Sequence, residues 1–261
     1  MLLLMPVFSL LGLFTGSFLN VCIDRLPAGE SIIRPPSHCS ACQRKLAVLD
    51  LIPVFSYLWL RGRCRYCQAT IPRRIPIVEG ITAVIFTLLY WQFGLGVELV
   101  ISLVYASLLV VIFVIDLEHQ LVLDKVSYPA MILVFGLSLF WPGSDGITLF
   151  GPGVLDRLLT SLSGGVFGLL LMALPFIIYR RGMGMGDIKL GALVGLMVGF
   201  PLVFVAVLLS WISGGVIGAV LLLLKIKQRT DPVPFAPFLA TAAMITLLWG
   251  QEIWQWYLPG F

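Results

Sequence analysis

Long apolar runs repeat along the whole chain, and they constrain its fold more than any other feature. A bilayer-crossing helix needs about 20 mostly apolar residues. Runs of that kind stand at 2–23, 76–94, 97–115, 126–141, 158–178, 188–200, 202–224 and 234–256. Two of them, 126–141 and 188–200, are short, and the second is parted from its neighbour by the break expected at Pro201, whose ring lacks an N–H. With 59% apolar and 11% charged residues and a mean hydropathy of +1.03, the composition is that of an integral membrane protein. The expected fold is an all-α polytopic protein of eight transmembrane helices. It comprises a first helix (1–23), a polar loop subdomain (24–75) and a polytopic helical domain (76–261). The first run lacks a small-residue cleavage site after a basic start, so it reads as a retained helix. No long Gly/Ser linker or internal repeat is visible.

Alternating eight spans from an outside N-terminus places every Lys and Arg except Arg157 on one side. The positive-inside rule makes that side the cytoplasm, and it holds the loop, Asp116 and Asp187. The net charge of +4 then describes orientation in membrane lipid and makes no case for nucleic acid. Lipid-facing and subunit-facing apolar surfaces read alike, so the pattern sets no oligomeric state.

Within the loop, Cys39-Ser40-Ala41-Cys42 and Cys64-Arg65-Tyr66-Cys67 form two CxxC knuckles at paired-knuckle spacing. Two such turns supply a tetrahedral four-thiolate shell with no open position, which points to structural zinc rather than a zinc hydrolase. A pair of disulfides is the alternative, but cytoplasmic thiols stay reduced. A small Pro-rich loop buries little core, so metal binding would contribute its folding free energy. Cys22, in the first span, reads as a small apolar residue.

Two acids stand at apolar edges. Asp187 ends the run Gly182-Met183-Gly184-Met185-Gly186-Asp187, and Asp116 directly follows the apolar stretch 108–115. Carboxylates in such places are costly and mark function. The glycines can bring backbone close to a neighbouring helix or to a substrate peptide. Asp187 is expected at a helix N-terminus with Lys189 beside it, where an anion is favoured, and Asp116 at a helix C-terminus, where it is not. Such a pair divides labour, one acid holding a proton while the other activates water. Asp124 competes with Asp116 for the role. The glycine run lacks a βαβ context, so as a dinucleotide-binding signal it is weak. No Gly-x-Ser-x-Gly nucleophile occurs.

Over nearly its whole length the chain resembles the type IV prepilin peptidases. The resemblance rests on Gly16-Ser17-Phe18-Leu19-Asn20-Val21, Arg25-Leu26-Pro27, the two Cys pairs, Pro53-Val54-Phe55-Ser56-Tyr57 and Pro76-Ile77-Val78-Glu79. It continues in Ile115-Asp116-Leu117-Glu118-His119-Gln120, Gly184-Met185-Gly186-Asp187-Ile188-Lys189-Leu190 and Pro234-Phe235-Ala236-Pro237-Phe238-Leu239-Ala240. It implies catalytic roles for Asp116 and Asp187, the latter in a Gly-x-Gly-Asp motif, and selects Asp116 over Asp124. The implied reaction removes a short basic leader after Gly from type IV prepilins or type II secretion pseudopilins, at the cytoplasmic face of the bacterial inner membrane. The new N-terminus would then be methylated from S-adenosylmethionine, with Asp24, Glu30 and Glu79 near the Cys loop as places to seek that cofactor's site. Two positions depart from the family pattern, Leu123 in place of Pro and Ala236 in place of Gly, and neither is expected to touch a catalytic carboxylate.

Two other classes compete. Intramembrane acids also serve ion or proton-coupled transporters, but no symmetry between halves is apparent and a four-cysteine loop has no obvious transport role. An assembly scaffold would use the zinc loop for docking and leave the aspartates as helix-end charges.

Overall fold

The computed structural model describes residues 2–141, 153–178, 184–226, 228 and 233–257. Arg180, Arg181, Gly182, Met183, Lys227 and Arg229, all used above, lie outside that set. The described chain is almost entirely helical: α1 (Met5–Ala28), α2 (Phe55–Trp59), α3 (Arg74–Phe93), α4 (Val97–His119), α5 (Asp124–Ser138), α6 (Val154–Ile178), α7 (Met185–Val198), α8 (Leu202–Leu223) and α9 (Ala236–Tyr257). Each of the eight expected runs falls on a helix. Five of these, α1, α3, α4, α6 and α8, are long and apolar enough to cross a bilayer. The protein is therefore a multi-pass membrane protein. At 15 and 14 residues, α5 and α7 are only about 20 Å long, short of a hydrocarbon core of about 30 Å.

Backbone packing divides the chain into two compact units, Met1–Leu99 and Val100–Phe261. In the first, α1 packs along α3. Gly12 and Gly16 form the seam: a Cβ on Gly12 would stand 2.6 Å from the Ala83 Cα, and one on Gly16 would stand 2.7 Å from the Glu79 Cα. Lipid offers helices little hydrophobic drive to associate, so close backbone approach through small residues supplies the contact instead. α1 runs five residues beyond the expected end at 23 and stops at Gly29, whose left-handed φ of 71° suits glycine and turns its N–H back to the Arg25 and Leu26 carbonyls. Buried Arg25 ties the following segment down through the Ser31 (2.9 Å) and Pro35 (2.7 Å) carbonyls.

In the second unit, α7 is the central helix, packed against α5, α6, α8 and α9. Its seam with α6 repeats the small-residue device twice over. A Cβ on Gly164 would collide with the Gly195 carbonyl and one on Gly168 with the Gly191 carbonyl, while the Ser161 hydroxyl donates to the Leu196 carbonyl at 2.8 Å. Tyr105, Leu109, Met172, Leu190, Leu193 and Leu239 lie within the core around that seam. The expected break at Pro201 is present, since α7 ends at Val198 and α8 starts at Leu202.

Candidate active site

α4 carries Asp116 in its last turn, and α7 carries Asp187 in its first. Both are buried, at 5% and 9% exposure, and both belong to the second unit. Asp187 Oδ2 accepts the Gly184 N–H at 3.2 Å, while the Asp187 N–H returns to the Gly184 carbonyl at 3.1 Å. This reciprocal pair caps α7 and fixes the carboxylate at the helix's positive end. Asp116 Oδ2 accepts the Ala236 N–H at 3.1 Å, from the first residue of α9. The charge of Asp116 reaches Asp187. A glycine makes this meeting possible. A Cβ on Gly186 would stand 2.7 Å from the Val122 Cβ, so the start of α7 presses on the turn that follows α4.

Two expectations change here. Lys189 does not sit with Asp187: its Nζ donates to Asp124 Oδ1 at 2.6 Å and lies 5.2 Å from the Tyr128 ring centre. The reason is helical phase, because residues two apart on a helix do not face each other. Asp124 is thus the exposed half of an ion pair at the start of α5, outside the buried acid pair. Ala236, expected to touch no catalytic carboxylate, instead donates its backbone N–H to the Asp116 carboxylate. Sequence reasoning missed it because the donor is main chain. The usable signal was the Pro-rich stretch at the head of a helix, where N–H groups lack intrahelical partners.

In the first unit, the sulfurs of Cys39, Cys42, Cys64 and Cys67 all lie within 4.8 Å of one another, and Cys22 is buried apart from them as expected. Cys39 and Cys67 Sγ are 3.8 Å apart, the spacing of two sulfurs each about 2.3 Å from a tetrahedral zinc. The donor set fits the ion. The two knuckles are also geometrically equivalent, a local repeat not apparent from sequence. In each, the residue after the second Cys takes a left-handed φ, 58° at Gln43 and 59° at Gln68. In each, the first Cys pairs with the chain's return, Cys39 N–H to the Arg44 carbonyl at 3.0 Å and Cys64 N–H to the Ala69 carbonyl at 2.8 Å. The Cys42 and Ala41 N–H groups hold the Cys39 thiol down to about 6, toward the thiolate that binds metal.

Comparison with known proteins bears on both units. Residues 10–93 match the bacterial peptidase A24 N-terminal domain, and residues 103–219 match the type IV leader peptidase family. The chain is 35% identical to a prepilin leader peptidase/N-methyltransferase of Aeromonas hydrophila, over 97% of its own length and 94% of that protein's. Proteins of the same description in Pseudomonas aeruginosa (33%, covering 95% and 91%) and Bacillus subtilis (32%, covering 98% of each) are similar throughout as well. No solved structure matches the chain.

Proposed function

The chain belongs to the type IV leader peptidase family, and from that premise we propose that Asp116 and Asp187 are the catalytic pair of a membrane aspartic endopeptidase. The protein is a prepilin peptidase with N-methyltransferase activity. One observation carries the assignment of the pair: two buried carboxylates, one at the end of α4 and one at the start of α7, lie close enough for the charge of Asp116 to act on Asp187, and each accepts a backbone N–H. Asp187, at the positive end of α7, is the base that takes a proton from water. Asp116, at the negative end of α4, holds the proton that the scissile carbonyl oxygen meets. The water oxygen bonds to the carbonyl carbon, the C–N bond breaks, and a proton passes to the departing nitrogen. Two like charges so close favour sharing one proton between them.

The substrate is a prepilin or pseudopilin, cut after the Gly of a short basic leader. The charge pattern supports eight spans with the acid pair and the 24–75 loop on the cytoplasmic side of the inner membrane. The same pattern supports the division into a first helix, a loop subdomain and a 76–261 peptidase domain. Structural zinc on Cys39, Cys42, Cys64 and Cys67 braces the loop. S-adenosylmethionine, when bound, supplies the methyl group for the new N-terminus. Transport and scaffold readings leave the match to the leader peptidase family without a reason.

The test is leader removal by purified protein in lipid nanodiscs, followed by mass spectrometry. Asp116→Asn and Asp187→Asn each lose at least about a thousandfold in rate, as for removal of one member of a catalytic unit. Near-normal cleavage by either variant removes the mechanism.

A further inference from the structure

Most buried carboxylates of the described chain have a role or a partner. Asp116 and Asp187 form the pair above, the buried side chain of Asp50 meets Arg65 at 2.8 Å, and Asp156 sits in the first turn of α6, where an anion is favoured. Glu79, in α3, differs. At 4% exposure, its Oε2 accepts the Val54 N–H at 2.7 Å, and the Ser17 hydroxyl is close enough to act on the carboxylate. These are neutral donors. Among the described residues no Lys or Arg forms an ion pair with it, so its carboxylate, when ionised, has no paired cation there. Retaining such a charge in apolar surroundings is costly unless a cation is received there.

Two independent features of the first unit mark the same place. Asn20 is 4% exposed, and its Nδ2 donates to the Gly16 and Ile75 carbonyls, both at 3.1 Å, which leaves its Oδ1 buried with no partner. Gly16 abuts Glu79, and Ile75 lies one turn before it, so this open acceptor shares the α1–α3 seam with the carboxylate. Val54, whose N–H reaches Glu79, holds φ 60° and ψ −48°. For a β-branched residue that is a strained backbone, of the sort that clusters at ligand sites.

We propose that Glu79, with the open Oδ1 of Asn20 in the same seam, receives the positive charge of a methyl-transfer reactant, an ammonium or sulfonium group. This rests on the N-methyltransferase reading. Both reactants carry such a charge: the methyl donor has a sulfonium and an α-ammonium, and the acceptor is an α-ammonium until it loses a proton. A carboxylate facing the sulfonium binds donor in preference to the neutral thioether left after transfer, which aids its release. The unit that holds this group, Met1–Leu99, is not the one that holds the acid pair.

The test compares wild-type, Glu79→Gln, Glu79→Asp and Ser17→Ala proteins in nanodiscs. Each is titrated calorimetrically with S-adenosylmethionine and with S-adenosylhomocysteine, and assayed for leader cleavage and for methylation of a precleaved peptide beginning with Phe. Glu79→Gln is expected to cleave normally while methylation falls about ten- to a hundredfold, the loss of a charge-assisted contact. Glu79→Asp recovers part of it. If the sulfonium is the guest, Glu79→Gln weakens S-adenosylmethionine binding and spares S-adenosylhomocysteine. If the donor's ammonium is the guest, both weaken. If the peptide amine is the guest, both donor affinities hold and the peptide KM rises. Unchanged methylation with unchanged binding overturns the site, as does joint loss of cleavage and methylation in both Glu79→Gln and Ser17→Ala, which makes Glu79 a structural brace. A wild-type protein that cleaves but never methylates instead removes the methyltransferase reading, and this site with it.

Discussion

The backbone N–H of Ala236 donates to Asp116 Oδ2 at 3.1 Å, joining the last turn of α4 to the first residue of α9. A main-chain donor is indifferent to its own side chain, so the departure from glycine at this position leaves the hydrogen bond in place. What the contact requires is an N–H.

Ala236→Pro removes that N–H while keeping a residue that suits the first position of a helix. Membrane insertion should be retained. Leader cleavage should fall roughly three- to tenfold, the worth of a buried hydrogen bond. Ala236→Gly, which keeps the donor, should cleave at the wild-type rate. Equal rates for all three proteins, measured on one prepilin substrate, would dissociate Ala236 from catalysis.

Asp124 is the contrasting acid. Its pair with Lys189 is exposed, and exposed pairs contribute roughly 0–1 kcal/mol. Asp124→Asn should therefore keep leader cleavage within about fivefold of wild type. A loss as large as that of the Asp116 variant would return Asp124 to the active site.

The contrast between these two acids marks how far the sequence could be read. Helices were legible because length and hydropathy alone decide them, and the acids because a carboxylate at an apolar edge needs a reason to be there. Lys189 was misplaced because adjacency in sequence is not adjacency on a helix. Ala236 and Val54 act through backbone atoms that every residue carries, so their letters held no signal. The Gly164/Gly168 and Gly191/Gly195 seam has a four-residue spacing open to reading, yet which two helices meet through it is a tertiary fact.

That seam should tolerate no side chain. A Cβ on Gly195 would meet the Gly164 carbonyl, and backbone has little room to yield. Gly195→Ala should cost about 1–3 kcal/mol by overpacking. Gly136, on α5, has nothing within 4 Å of its Cβ position, so Gly136→Ala should gain about 0.5–1 kcal/mol through helix propensity. Thermal unfolding in one detergent, read as a difference between the two variants, checks both.

For the cysteine cluster, metal analysis of purified protein should find about one zinc per chain, the stoichiometry of a four-thiolate site. Cys64→Ser should lower that content and loosen the loop to limited proteolysis. Cys22→Ser should do neither, since Cys22 lies apart from the cluster in α1. A zinc-free preparation with full activity and an intact loop would end the structural-metal reading.

The peptidase and methyl-transfer steps should separate genetically. Hydrolysis needs carboxylates to move protons to and from water, whereas methyl transfer gains much of its rate from holding amine and donor in register. Asp187 belongs to the unit Val100–Phe261, and the carboxylate proposed for methyl transfer belongs to Met1–Leu99. Asp187→Asn protein should therefore fail on a full-length prepilin yet methylate a precleaved peptide beginning with Phe at close to the wild-type rate. Mass spectrometry reads both outcomes from one reaction, as retained leader mass and as added methyl mass. Loss of methylation on the precleaved peptide, with S-adenosylmethionine binding intact, would mean that Asp187 also serves the second reaction and that the two steps share a site.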